Sequence, residues 1–182
     1  MLIQLLAQHP EAIVQVVRNT PVWVWGLLAT LLALGASQLR DRTAGLARVS
    51  LMPVGMTLFS AWGTYSALAS SPLLGQALAA WVLAAGLLFA LVARGRSNAR
   101  YDAATRTYAI AGSALPLLLV AGIFSVKYVV GVDLAMAPRL IQDPLYALTV
   151  AGLYGAFTGI FIGRAARLWR LALRPATVPA AA

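Results

Sequence analysis

Residues 145–163 read LYALTVAGLYGAFTGIFIG, an apolar run in which glycine returns every fourth residue, at Gly155, Gly159 and Gly163, with Ala151 continuing the step upward. Residues four apart share one face of a helix, so these four form a groove almost without side chains. Such a groove lets a second helix backbone approach closely, which is how helices pack in lipid. Directly after it stand Arg164, Arg167, Arg170 and Arg174, a basic cluster of the kind that holds a helix end in the cytoplasm. One stretch thus predicts a membrane span, a packing face and an orientation. The face has two readings, a seam within one bundle or a homodimer interface. The seam is the better one, because most helix faces of a bundle are already occupied internally.

Outward from this run the same pattern repeats. Apolar stretches at about 21–39, 49–69, 73–93 and 114–132 precede it, and each is close to the length that crosses a hydrocarbon core of about 30 Å. The expected fold is therefore all-α, an integral membrane bundle of five transmembrane helices over residues 20–174. Trp23 and Trp25 near the start of the first stretch suit an interfacial belt. Pro53 falls early in the second, where proline costs least. The connection Ser70-Ser71-Pro72 is short enough to make the second and third spans an antiparallel hairpin. Arg40, Arg42 and Arg48 follow the first span, and Arg94, Arg96, Arg100 and Arg106 follow the third. The opposite flanks hold only Arg18 and Arg139. The positive side is cytoplasmic, so the N-terminus is predicted outside and the C-terminus inside.

The composition agrees. Of 182 residues, 61% are hydrophobic and only 10% charged, against about half and a quarter in soluble domains. The net charge of +9 sits at the ends of apolar runs. It therefore points to orientation and anionic lipid headgroups rather than to nucleic acid. With no cysteine and a single histidine, His9, the chain has no disulfide, thiolate chemistry or histidine metal site to offer. No cofactor is expected.

Two segments lie outside the spans. Residues 1–19 have helical apolar spacing at Ile13, Val16, Val17 and Thr20, and read as an amphipathic helix at the outer surface or as a lid packed on the bundle. They show no cleavage pattern of a removable signal peptide. Residues 175–182 are expected to be a disordered tail. Between the third and fourth spans, Tyr101 and Tyr108 flank a turn-like segment. A small hairpin is conceivable there, but the thin apolar alternation favours a solvated loop.

The stretch Asn19-Thr20-Pro21-Val22-Trp23-Val24-Trp25, the pair Arg48 and Pro53, Gly112-Ser113-Ala114-Leu115-Pro116-Leu117, Phe124-Ser125-Val126-Lys127-Tyr128, and Leu153-Tyr154-Gly155 through Gly163-Arg164 together resemble a family of small uncharacterised bacterial inner-membrane proteins. The resemblance covers about residues 19–165. It implies a multi-pass protein of the bacterial inner membrane and carries no activity, so no catalytic residue transfers.

Within the spans one clearly ionisable group stands out. A lysine at the centre of a membrane helix costs about 2.5–3.5 kcal/mol on insertion scales, so Lys127 needs an explanation. Asp133, Asp143 or Glu11 is a candidate ion-pair partner, and its stem is long enough to snorkel. By rise per residue, Thr64, Tyr65 and Thr149 fall at a similar depth. With Tyr128 at the rim, they define a candidate outward-facing ligand pocket around Lys127. Thr57, Ser60 and Thr64 make a hydroxyl stripe on the second span, and such hydroxyls usually bond their own backbone. Arg100, Tyr101, Asp102 and Arg106 read as a charged turn rather than a phosphate site. No glycine phosphate loop, metal motif or nucleophile triad is present, and the five acidic residues form no pair within the spans. No catalytic or metal site is therefore expected, and no enzyme. The bilayer is the first partner. A protein partner or homo-oligomer fits a scaffold or accessory subunit, and a small solute fits the alternative, a small-solute or anion permease.

Overall fold

The computed structural model describes residues 17–95 and 97–173, the side chain of Met52 excepted. The expected amphipathic segment is seen only at residues 17–19, which are helical. Residues 1–16, Arg96, Arg174 and the expected tail lie outside the described residues.

The chain is mostly helical. Helix α1 (Val22–Ala36) ends in a 3-10 turn (Ser37–Leu39) and leads to strand β1 (Arg42–Gly45). Helices α2 (Leu46–Leu68) and α3 (Leu74–Ala93) follow, then strands β2 (Arg100–Asp102) and β3 (Thr107–Ile110). Helix α4 (Leu115–Met136), a 3-10 turn (Pro138–Gln142) and helix α5 (Pro144–Leu173) complete the order. Four helical segments are long and apolar enough to cross a membrane: Val22–Leu39, Leu74–Ala93, Leu115–Met136 and Pro144–Leu173. The stretch expected as the second span is the helix α2, of 23 residues. Its length suffices, but Arg48 and its hydroxyls and glycines dilute its hydropathy, and it is not one of the four.

The spans also run longer than expected at two ends. Helix α4 continues to Met136, where the Ala137 N–H bonds the Asp133 carbonyl at 2.8 Å. Helix α5 continues ten residues past Gly163, because Ala165, Ala166, Leu168 and Leu171 are strong helix formers and nothing breaks the run. Two contacts fix this extension. Trp169 Nε1 donates to Ser50 Oγ on α2 at 2.9 Å. Arg167 Nε donates to the Val92 carbonyl, so a guanidinium caps the C-terminal, electronegative end of α3.

The all-α expectation needs one correction. Residues 100–110 are a β-hairpin rather than a solvated loop, and β1 joins it to make a three-stranded antiparallel sheet in the order β1-β3-β2. Tyr108 pairs with Tyr101 on one side and Ala44 on the other. The two tyrosine rings lie 4.8 Å apart, a cross-strand aromatic pair of the kind that stabilises sheets. Tyr108 is fully buried, and that burial, followed by the neighbouring Tyr101, pushes its phenol above its usual range. The turn is built by Asp102, whose carboxylate accepts from the Ala104 N–H and the Thr105 hydroxyl, both at 2.9 Å. Arg106 closes it with φ 52°, a left-handed conformation uncommon outside glycine, asparagine and aspartate. The sheet also links helices. The Ser113 N–H bonds the Gln38 carbonyl, and the Gly112 N–H bonds Asp41 Oδ1 at 2.7 Å, joining the end of α1 to the start of α4.

The most extensive helix contact is α3 against α5. A Cβ on Gly155 would collide with the Trp81 carbonyl, and one on Gly159 with the Ala85 carbonyl, the Leu88 Cβ and the Phe89 nitrogen. One on Gly163 would lie 2.9 Å from the Val92 Cβ. The glycine face therefore meets backbone of this same chain, along a parallel helix, in steps of four on both sides. Ala151 continues the seam into a cluster with Leu68, Ala77 and Ala147.

Candidate functional site

Lys127 projects from α4 toward α2 and α5. Its ammonium lies 4.7 Å from the Phe59 ring centre and 4.4 Å from that of Tyr154. The third wall is Gly63, where a Cβ would come within 2.5 Å of Nζ. A Cβ at residue 63 would make the ammonium shift, so the bare α2 backbone there is what lets it sit this close. Two ring faces supply cation–π attraction, about 2 kcal/mol where desolvated. That is of the order of the insertion cost of the charge.

Behind the ammonium is a polar hub on α2. Ser60 Oγ accepts from Trp81 Nε1 at 3.1 Å and from Thr158 Oγ1 at 2.8 Å, and donates to the Tyr154 carbonyl at 3.2 Å. One hydroxyl thus ties α2 to α3 and α5. Thr57 and Thr64 instead bond the carbonyls four residues back, Pro53 and Ser60. Between Lys127, Ser60 and Thr158 is a cavity of about 20 Å³, near the size of one water.

In front of Lys127 opens a much larger cleft, of about 1160 Å³, bounded by α1, α4 and the Met56–Phe59 part of α2. Its walls are Trp23, Leu27, Leu31 and Leu34 from α1 and Val120, Ile123 and Phe124 from α4. The two helices touch at Gly35, where a Cβ would lie 2.8 Å from Leu117 Cδ1, and at the Thr20–Tyr128 hydroxyl bond of 2.7 Å. The hydrogen-bonding lining residues other than Trp23 are Asn19, Thr20, Lys127 and Tyr128, which gather near the start of α1, and beyond them the α4 wall continues through Gly131, Val132, Ala135 and Met136.

Of the residues singled out by sequence, Lys127 and Tyr128 line the cleft together. Thr64 is buried one residue beyond Gly63 and does not line either cavity. Tyr65 is exposed beside Trp62, and Thr149 is exposed on α5. Depth along a helix was legible from residue counting, but rotation about its axis was not. That is why Gly63, Phe59 and Tyr154, at the same depth, were missed.

Four of the helical segments have the length and composition to cross a membrane, which fits a polytopic membrane protein. The chain belongs to a family of unknown function, DUF6622, which it matches over residues 1–180. No curated protein and no solved structure matches it.

Proposed function

We propose that the chain is a five-span protein of the bacterial cytoplasmic membrane, N-terminus outside and C-terminus inside, that acts without catalysis as a scaffold or accessory subunit. The observation that carries this reading is the α2–α3–α5 core. Backbone contacts at Gly155 and Gly159 and the three-way bond at Ser60 make it one rigid unit. Helix α2 enters as the fifth span because it packs alongside the more apolar α3 and α5 rather than apart from them. The arginine-rich flanks supply the orientation.

A reporter active only outside the cytoplasm tests the topology. Fused after Arg174 it is expected to be silent, and fused after Arg139 active; the reverse pattern sinks the orientation. The scaffold role predicts a second membrane protein in fixed stoichiometry when the chain is isolated at native abundance. The permease reading draws support from Lys127 lining the cleft, but the walls there are mostly apolar, a poor path for a hydrated solute. Anion flux in proteoliposomes that disappears in Lys127→Met would replace the scaffold reading with the permease.

A further inference from the structure

We propose that the cleft between α1 and α4 binds one long-chain carboxylate, a fatty-acid-type amphiphile, with its head at the Lys127–Tyr128–Thr20–Asn19 cluster and its tail along α1 toward Leu34. This goes beyond the scaffold reading and rests on the cleft alone.

The first argument is the distribution of polarity. A cleft that merely faced lipid tails would be apolar throughout. Here two hydroxyls, a carboxamide and the Lys127 side chain gather in one cluster, with an apolar wall on one side from Leu27 to Leu34 and a shorter one on the other at Gly131, Val132, Ala135 and Met136. A polar cluster beside a long apolar wall suits a charged head with an apolar tail, and it matches the general form of ligand sites, apolar walls with a few convergent polar groups.

The second argument is charge. What the described residues offer the Lys127 ammonium is two ring faces and the Gly63 backbone. Rings stabilise the cation but leave its formal charge uncompensated, and an anion delivered through the cleft would compensate it. The match is to a monoanion. There is one ammonium and no arginine in the lining, and a second negative charge would be buried without a partner, at a cost of several kcal/mol.

The third argument is length. From Pro21 to Leu34 the lining runs about 20 Å at the helical rise. One leaflet of the hydrocarbon core is about 15 Å thick, so a single extended lipid chain fits end to end. The contacts at Gly35–Leu117 and Thr20–Tyr128 hold α1 to α4 at two points, leaving a slot between them.

The test uses the purified full-length chain in a detergent with a neutral head and the fluorescent long-chain carboxylate cis-parinaric acid. Saturable binding at one per chain, displaced by oleate, is expected. The methyl ester of the same chain should bind about tenfold more weakly or worse, since it removes one partner of a buried charge pair. Lys127→Met should lose affinity for the acid to a similar degree while leaving the ester unchanged. Leu31→Trp, which fills the slot, should weaken both. Equal affinity for acid and ester overturns the proposal, as does displacement by a neutral diacyl lipid as readily as by oleate. The acid–ester comparison is made on the wild type, so it decides the matter even if a variant fails to fold.

Discussion

The α3–α5 seam and the α1–α4 pair are both contacts between long apolar helices, and they are built in opposite ways. Along the seam, glycines at every fourth residue of α5 admit the α3 backbone at Trp81 and Ala85. The pair α1–α4 has one such contact, Gly35 on Leu117, and Gly26 and Gly131 each face open space. Large side chains line the rest, and a cleft of about 1160 Å³ remains. Lipid tails are as apolar as leucine, so apolarity alone does not draw helices together in a bilayer. Small residues in register do, through close backbone contact, and helices without them stay apart and leave room for something else.

The largest test of that contrast is Gly159→Leu against Gly131→Leu, at a glycine that lines the α1–α4 cleft. The first drives a side chain into backbone atoms of α3 and should destabilise by about 3 kcal/mol or more, the upper reach of overpacking. The second adds the same atoms where nothing lies within 4 Å and should leave unfolding unchanged. Thermal unfolding in detergent reads both, and equal losses would mean that the two helix contacts do not differ. Next in size is Ser60→Ala. It leaves Trp81 Nε1 without its acceptor, while the Thr158 hydroxyl still reaches the Tyr154 carbonyl at 2.9 Å, at a cost of about 1–3 kcal/mol. Unfolding monitored by Trp fluorescence should show the loss. No change would mean that glycine packing alone holds the core.

The smallest effect is at the sheet that joins the two regions. The Thr105 hydroxyl, then the Ala104 N–H, hold the Asp102 carboxyl below its usual range. A carboxylate lowered on folding adds stability that is present above its unfolded pKa of about 3.9 and fades as pH falls through the folded value. The protection of the Ala104 amide against exchange, taken relative to the intrinsic rate at each pH, should therefore fall on acidification in the wild type. In Asp102→Asn that pH dependence should be absent, with the helices unaffected. A global loss of structure over the same pH range would show that the hairpin is not a local unit.

The limits of sequence reading follow the same division. The glycine stripe and the hairpin of α2 and α3 were legible because each is local: periodicity fixes a helix face and loop length fixes adjacency. Strand β1 was not, since Arg42–Gly45 pairs with β3 more than sixty residues away and its own sequence is too short to declare a strand. Arg167 was read as an orienting charge. Its bond to the Val92 carbonyl depends on where α3 ends beside α5.

Lys127 shows the division within one residue. The sequence by itself determined that a cation sits inside an apolar helix, that its cost must be met, and that one face of α5 can take a helix backbone. Only the tertiary structure decided that Phe59, Tyr154 and Gly63 meet that cation, that the glycine face meets α3, and that α1 stands off far enough to leave a slot. Rise along a helix is fixed by residue number, so depth can be counted. The rotation of each helix, and the choice of which face meets which, is settled only when all the side chains pack at once.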